Sequence, residues 1–397
     1  MDITIHPRKL SGTISAIPSK SQAHRILICA AFADAPTNII CTSTNADMDA
    51  TADCLRAIGA DIAFTNTGYD VKPVKHIPET ADLYCRESGS TLRFLLPVCA
   101  ALGIDTTFHL EGRLPSRPLS PLWEELERMG VNLSRPTKNT IRCFGKLNSG
   151  IYSIEGSVSS QFITGLLFAL TLLPGENQLT VTGNIESKPY IRMTEDALNL
   201  FGVNTFGYNF RNTLLHSPGT VTVEGDWSNA AFFLGAQAMG NDVTLSGLNP
   251  TSSQGDKKVI PLMEMLSDCT VIDGSDIPDL IPILAVVAGA KQGATFENIG
   301  RLRLKESDRI ESVAAMLKAL GCKVDIGKDY LTVFPAVYQG CIIDSFNDHR
   351  IAMAAAIAST VACGPVTIIG AECVAKSYPD FWSEFVKSGG YYEQYIR

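Results

Sequence analysis

Cationic side chains stand beside Ser and Gly at the points where apolar helices should begin. Pro18-Ser19-Lys20-Ser21 opens one such run, with Arg25 one turn beyond Ser21 on the same face. Arg86-Glu87-Ser88-Gly89-Ser90-Thr91-Leu92-Arg93 opens a second, where Gly89 permits close backbone approach. Ser157-Val158-Ser159-Ser160-Gln161 repeats the pattern with hydroxyls and an amide. A helix N-terminus presents N–H groups and the positive end of its dipole, so these combinations suit phosphate or carboxylate groups. Taken singly, each reads equally as a capped helix start with solvated charges.

Further along, Arg301 to Arg309 (RLRLKESDR) is the densest charge cluster, and the i to i+4 relation brings Lys305 and Arg309 together once a helix has begun. A carboxylate held among several cations can act as a positioned acid or base. Asn347-Asp348-His349-Arg350 opens a nearly charge-free alanine-rich helix, where the charges have no evident packing reason. Asp279, in Ile277-Pro278-Asp279, is a lone carboxylate within apolar sequence and reads on its own as a helix cap. The six histidines, at 6, 24, 76, 109, 216 and 349, form no HxxxH or Cys/His cluster, and neither GxSxG, GxGxxG nor GxxxxGK[ST] occurs. The residues therefore predict a phosphate- and carboxylate-binding cleft with a carboxylate acid/base, no metal and no cofactor.

The elements that must position these groups recur. Amphipathic stretches stop at Gly and restart as alternating strands in RAIGADI, RMGVNL, LFGVNT and ALGCKV, at Gly59, Gly130, Gly202 and Gly321. The first three glycines lie 71 and 72 residues apart. A degenerate copy, EMLSDCTVI, ends near Asp268, and another closes near Gly389. In step with them run apolar helices beginning at Ser19, Gly89, Ser159, Ser228, Ile277 and Asp348, with so little charge that they must be buried. The intervening NQLTVTG, NDVTLSG and GPVTIIG read as strands. Six units with a discontinuity at Asp226 predict two domains of three units each.

Composition agrees with a large folded protein. The chain has 397 residues, 45% apolar and 19% charged, long enough for more than one core. A net charge of -8 disfavours nucleic acid as a partner, and no apolar stretch reaches the length of a membrane span. The first residues, MDITIHPRKL, lack a signal-like apolar region. Eleven cysteines without a CxxC fit a reducing cytoplasm.

Through the ordered motifs PSKSQAHR, SGSTLRF, EGRLPSRPLSPL, GSVSSQF, SKPYI, VEGDWSNAAFFL, IPD, RLKESDR, NDHRIAMA and AKSYPDF the sequence resembles the EPSP synthase (3-phosphoshikimate 1-carboxyvinyltransferase) family of enolpyruvyl transferases. The resemblance implies an α/β fold, a two-domain inside-out α/β barrel with three βαβαββ repeats per domain, helices inside and sheets outside. The domains would be 14–226, and 1–13 with 227–397. Crossings would fall near Ser11 to Thr13 and at Asp226, with substrates held between closing domains. A monomer is the family's usual form.

By the same resemblance, Lys20, Ser21, Arg25, Ser159, Ser160, Gln161, Ser187, Tyr190, Asp279 and Lys305 would bind shikimate 3-phosphate. Lys20, Gly89, Arg117, Gln161, Arg309, Arg350 and Lys376 would surround phosphoenolpyruvate. The implied reaction adds the 5-hydroxyl of shikimate 3-phosphate to C2 of phosphoenolpyruvate and then eliminates phosphate. Asp279 would accept the hydroxyl proton, and Glu306, helped by Lys20, would give and reclaim a C3 proton. Glu87, Arg301 and Phe94 stand where the family often has Asn, Asn and Pro. Gly89 would leave room for glyphosate in the phosphoenolpyruvate site, with Phe94 one turn beyond able to tilt the helix. The sister transferase that acts on UDP-N-acetylglucosamine carries a loop cysteine, which GRLPSRPL lacks.

Overall fold

The computed structural model describes residues 1–395. These divide into two compact units, Pro18–Glu224 and the combination of Met1–Ile17 with Gly225–Arg397. The first crossing thus falls after Ile17, later than the expected Ser11 to Thr13. The reason is that Ser11–Ser15 is a strand paired in parallel with Asp242–Ser246, which ties it to the C-terminal segment.

The unit Pro18–Glu224 contains helices α1 (Lys20–Ala31), α2 (Ala46–Ala57), α3 (Gly89–Leu102), α4 (Leu122–Arg128), α5 (Ser160–Leu172) and α6 (Lys188–Leu200). Of these, α1, α3 and α5 carry the predicted apolar runs and are buried over most of their length. Their side chains supply the middle of the unit's core, where each fully buried Leu, Ile or Phe contributes roughly 1.5–3 kcal/mol. Close approach of α3 and α5 depends on Gly165, since a Cβ there would lie 2.1 Å from the Arg93 carbonyl oxygen. Helices α2, α4 and α6 are followed by Gly59, Gly130 and Gly202, all at positive φ, where glycine avoids the strain of a Cβ.

Two sheets in this unit share one strand order; in one, Thr220–Thr222 pairs in parallel with Thr37–Ile40, which pairs antiparallel with Gly68–Lys72, itself antiparallel to Asp61–Phe64. In the other, strand Thr80–Arg86 pairs in parallel with Asp105–Leu110, which pairs antiparallel with Thr140–Gly145, itself antiparallel to Val131–Ser134. Alternate residues of Asp105–Leu110 are buried, so the sheet lays one face on the helices. The strand expected after Gly202 does not form. There the Asn204 side chain accepts the Phe206 N–H at 2.9 Å, and a 3₁₀ turn follows at Phe206–Tyr208.

The second unit contains α7 (Trp227–Ala238), α8 (Val259–Met265), α9 (Ile281–Ala290), α10 (Arg309–Ala319), α11 (His349–Ser359) and α12 (Phe381–Lys387). Again alternate helices, α7, α9 and α11, are the buried ones. Strands Thr270–Asp273, Ala294–Glu297, Leu331–Val333 and Val324–Ile326 repeat the complete sheet order. The N-terminal strand Asp2–His6 lies between Val366–Ile369 and Tyr391–Tyr395, completing a third sheet. The degenerate copy lacks a hairpin because Thr270–Asp273, directly after α8, pairs with Ala294–Glu297 and so begins the following repeat. Helix α9 starts at Ile281, not Ile277, since the preceding residues form successive turns from Gly274 to Ile277 and from Ile277 to Leu280. That offset leaves Asp279 ahead of the helix. Among the described residues no helix is long and apolar enough to cross a membrane.

Candidate active site

In the unit Pro18–Glu224 the predicted residues collect at the N-terminal ends of the buried helices. Lys20 opens α1 and its Nζ donates to Asp47 Oδ2 at 2.8 Å. Arg25, one turn deeper, donates from Nη1 to the Ser21 carbonyl at 2.6 Å, from Nη2 to the Tyr190 carbonyl at 2.9 Å and from Nε to Thr194 Oγ1 at 2.8 Å. Burial pulls this guanidinium down to about 10, yet it remains cationic at neutral pH. Ser187, buried and left-handed at φ 54°, caps the start of α6 and accepts the Tyr190 N–H. Ser21, Arg25, Ser187 and Tyr190 are thereby joined across α1 and α6, and Lys20 ties the start of α1 to Asp47 of α2.

A second group forms where α3 and α5 begin. Ser159 accepts the Gln161 N–H as the cap of α5, and Ser160 is buried in its first turn. Gln161 Oε1 accepts from Arg93 Nη1 at 2.8 Å, while Gln161 Nε2 donates to Ser90 Oγ at 2.9 Å. Arg93 also donates to the Pro118 carbonyl at 3.0 Å. A Cβ on Gly89 would lie 2.8 Å from Nη1 of both Arg93 and Arg117, so glycine keeps space in front of two guanidinium groups. Two cations beside a helix start suit a small anion. Arg93 and Ser90 are absent from the predicted site, although both stand in the cradle sequence.

The other unit gathers Asp279, Lys305, Glu306, Arg309 and Arg350. Asp279 does not cap α9. Its carboxylate accepts Arg309 Nη1 at 2.7 Å and Arg350 Nη2 at 3.1 Å, with Lys305 Nζ at 3.6 Å. Burial would raise its pKa, but Arg350, Lys305 and Arg309 together hold it well below the usual carboxylate range. Arg309 is 1% exposed and bonds Glu306 Oε2 at 2.7 Å and Asp348 Oδ2 at 2.8 Å as well. Burial alone would lower its pKa, and the three carboxylates reverse the sign. Asp348, wholly buried, also accepts from Ser307 Oγ and caps α11 through the Arg350 N–H. Sequence placed Asp348 at a helix start and gave no sign that it anchors Arg309. Burial brings the Lys305 ammonium down to about 8. Lys376 donates to the Asn347 carbonyl at 2.8 Å, next to Asp348 in the chain.

The three departures each find a place. The Glu87 carboxylate lies against Gly112, where a Cβ would come within 2.3 Å of Oε2. Arg301 donates to the Ser275 carbonyl at 2.8 Å. Phe94 is buried under the Arg25 guanidinium, 5.2 Å from ring centre, and meets the Phe168 ring edge-on.

The sequence and the fold match a known lineage. The family model for EPSP synthase (3-phosphoshikimate 1-carboxyvinyltransferase) matches residues 5–385. The chain belongs to this family. A 3-phosphoshikimate 1-carboxyvinyltransferase of Clostridium kluyveri is 37% identical, with 98% of this chain and 97% of that one covered. One from Clostridium botulinum is 36% identical, with 98% of each chain covered. Among solved structures, EPSP synthase from Acinetobacter baumannii is 25% identical with a TM-score of 0.79, covering 99% of this chain and 100% of that one. The enolpyruvyl transferase NikO of Streptomyces tendae shares the fold at 16% identity, with a TM-score of 0.74 and coverage of 99% and 98%.

Proposed function

We infer that this chain transfers the enolpyruvyl (carboxyvinyl) group of phosphoenolpyruvate to the 5-hydroxyl of shikimate 3-phosphate, as in the biosynthesis of chorismate and the aromatic amino acids. The products are 5-enolpyruvylshikimate 3-phosphate and phosphate. The observation that carries the reading is the meeting of Asp279 and Glu306 on one buried guanidinium, Arg309, which fixes two carboxylates in one polar cluster. Addition–elimination needs two such groups. In the addition, Asp279 takes the hydroxyl proton as oxygen bonds C2, and Glu306 delivers a proton to C3, assisted by Lys20. In the elimination, Glu306 reclaims a C3 proton while the C2–O bond to phosphate breaks, and phosphate leaves with the proton held by Asp279.

The cations set when this can happen. With Arg350, Lys305 and Arg309 all directed at it, Asp279 is a weak base. An anionic substrate that draws Arg350 and Lys305 to itself removes their hold and raises the basicity of Asp279. The Gly89, Arg117 and Gln161 group, with Arg309, Arg350 and Lys376, then receives phosphoenolpyruvate. Lys20, Ser21, Arg25, Ser159, Ser160, Gln161, Ser187, Tyr190, Asp279 and Lys305 receive shikimate 3-phosphate. Cations about the leaving phosphate stabilise the charge it develops. We place the enzyme in the cytoplasm, as a monomer whose partners are its small-molecule substrates; its eleven cysteines are free thiols, in keeping with a reducing compartment.

The test is phosphate release by purified protein from phosphoenolpyruvate with shikimate 3-phosphate, run beside UDP-N-acetylglucosamine. Release with shikimate 3-phosphate alone, and its loss in Glu306→Gln, is the expected result. Release with the nucleotide sugar alone overturns the substrate assignment, and release by neither overturns the activity.

A further inference from the structure

A chain of buried hydroxyls links α1 to the first turn of α3. His24 Nδ1 lies 2.7 Å from Thr51 Oγ1 of α2, and Thr51 Oγ1 lies 2.7 Å from Thr91 Oγ1 of α3. Thr91 Oγ1 donates to Ser88 Oγ at 2.8 Å, and Ser88 Oγ also accepts the Thr91 N–H as the cap of α3. All four residues are fully buried. A run of four polar side chains through an apolar core is costly unless every link is made.

The proton count fixes the direction of the chain. The Thr91 hydroxyl gives its proton to Ser88, so only Thr51 can supply the proton between Thr51 and Thr91. The remaining link must then be Nδ1–H of His24 donating to Thr51. Burial, and after it the charges on Lys20 and Arg25, hold the His24 pKa well below its ordinary value, so the ring is neutral with its single proton on Nδ1. Its Nε2, left as a bare acceptor, has no hydrogen-bond partner, and the ring stands edge-on to Phe94.

The far end of the chain bears on the anion-receptive group. Ser88 precedes Gly89 and Ser90, and Ser90 Oγ receives Gln161, whose other end receives Arg93. Moving the first turn of α3 by a few tenths of an ångström changes the gap between Gly89 and the guanidinium groups of Arg93 and Arg117, which is already too tight for a Cβ. We propose that the His24–Thr51–Thr91–Ser88 chain is a one-directional hydrogen-bond relay that sets the position of the α3 N-terminus, making His24 and Thr51 positioning residues for the phosphoenolpyruvate subsite. The proposal rests on the assignment of Gly89, Arg117 and Gln161 to that substrate. Its effect is on binding of the small anion, because the chain ends at the first turn of α3 and includes neither carboxylate assigned to proton transfer.

Two measurements test it. In ¹⁵N-histidine-labelled wild-type protein, the His24 ring, assigned by its disappearance in His24→Gln, should carry its proton on Nδ1 across neutral pH. A proton on Nε2 overturns the relay whatever the variants do. Thr51→Val keeps the side-chain shape and removes the hydroxyl, and Thr51→Ser keeps the hydroxyl. The first should raise KM for phosphoenolpyruvate about tenfold with kcat and KM for shikimate 3-phosphate within twofold, and the second should restore KM. Lowered stability with both KM values unchanged would reduce the chain to packing and overturn the proposal. A rise in KM for shikimate 3-phosphate alone would overturn the subsite assignment, with the Nδ1 proton still reporting separately on the relay.

Discussion

The two polar clusters hold their buried arginines in opposite ways. In the unit Pro18–Glu224, Arg25 and Arg93 are braced by carbonyl, hydroxyl and amide oxygens, which orient a guanidinium without cancelling its charge. In the other unit, Arg309 is held by Asp279, Glu306 and Asp348, and Arg350 also turns to Asp279. Arg25 and Arg93 keep their charge for an anion, whereas Lys20 of the same unit is paired with Asp47. On the proposed function, the second cluster exchanges a carboxylate for a substrate anion, and the exchange frees the carboxylate for proton transfer. Binding and acid–base chemistry thus call for different counter-groups around the same residue type.

That contrast can be broken most sharply at Glu306. Glu306→Gln keeps the shape and removes the proton exchange, so kcat should fall by about 10²–10⁴-fold in a phosphate-release assay, while binding of shikimate 3-phosphate by calorimetry stays near wild type. Next comes the anchor of the ion-pair knot. Asp348→Ala leaves Arg309 buried without its most deeply buried carboxylate partner, and denaturant unfolding of the unit containing it should lose about 3–5 kcal/mol. In the neutral-braced cluster, Arg93→Met removes one charged hydrogen bond to Gln161, and KM for phosphoenolpyruvate should rise by about 1.5–3 kcal/mol in binding terms with kcat little changed.

A pH series separates two carboxylates of the second unit. Asp256 is pushed up to about 7 by burial and by Asp279. Its folded value lies above that of an unfolded chain, so the stability it contributes is present below about pH 4 and is lost as pH rises through 7. Asp279 has the reverse sign, contributing above about pH 4 and losing its contribution as acid reaches its depressed folded value. Asp256→Asn should flatten the decline in stability between about pH 4 and 7, read from unfolding midpoints, and leave the acid limb in place. The smallest effect belongs to the surface pair of Lys72 and Asp61, 2.7 Å apart and largely exposed. Lys72→Met should leave the unfolding midpoint unmoved, because water and salt screen such a pair.

Much of the architecture was legible because it rests on local rules. Gly59, Gly130, Gly202, Gly321 and Gly389 all adopt the positive φ that a helix end demands, and each follows its helix directly or within two residues. The charge-free helices proved buried because nothing else can cover so much apolar surface. Local rules failed where distant partners compete. Asp279 reads as a cap until Arg309, thirty residues on, and Arg350 are brought to it. Val203 to Thr205 reads as a strand until the Asn204 side chain turns the chain aside.

The sequence by itself determined the repeat, the alternation of buried and half-buried helices, the family and the side chains with suitable chemistry, since these follow from periodicity, punctuation and residue type. Only the tertiary structure decided which charges meet. Asp348 on Arg309, Arg93 on Gln161, Asp47 on Lys20 and the Thr51–Thr91 link between helices join residues from 27 to 68 positions apart. Their pairing depends on how buried helices and loops pack, because the energy of an ion pair or hydrogen bond is set by distance and desolvation in space and leaves no periodic trace along the chain.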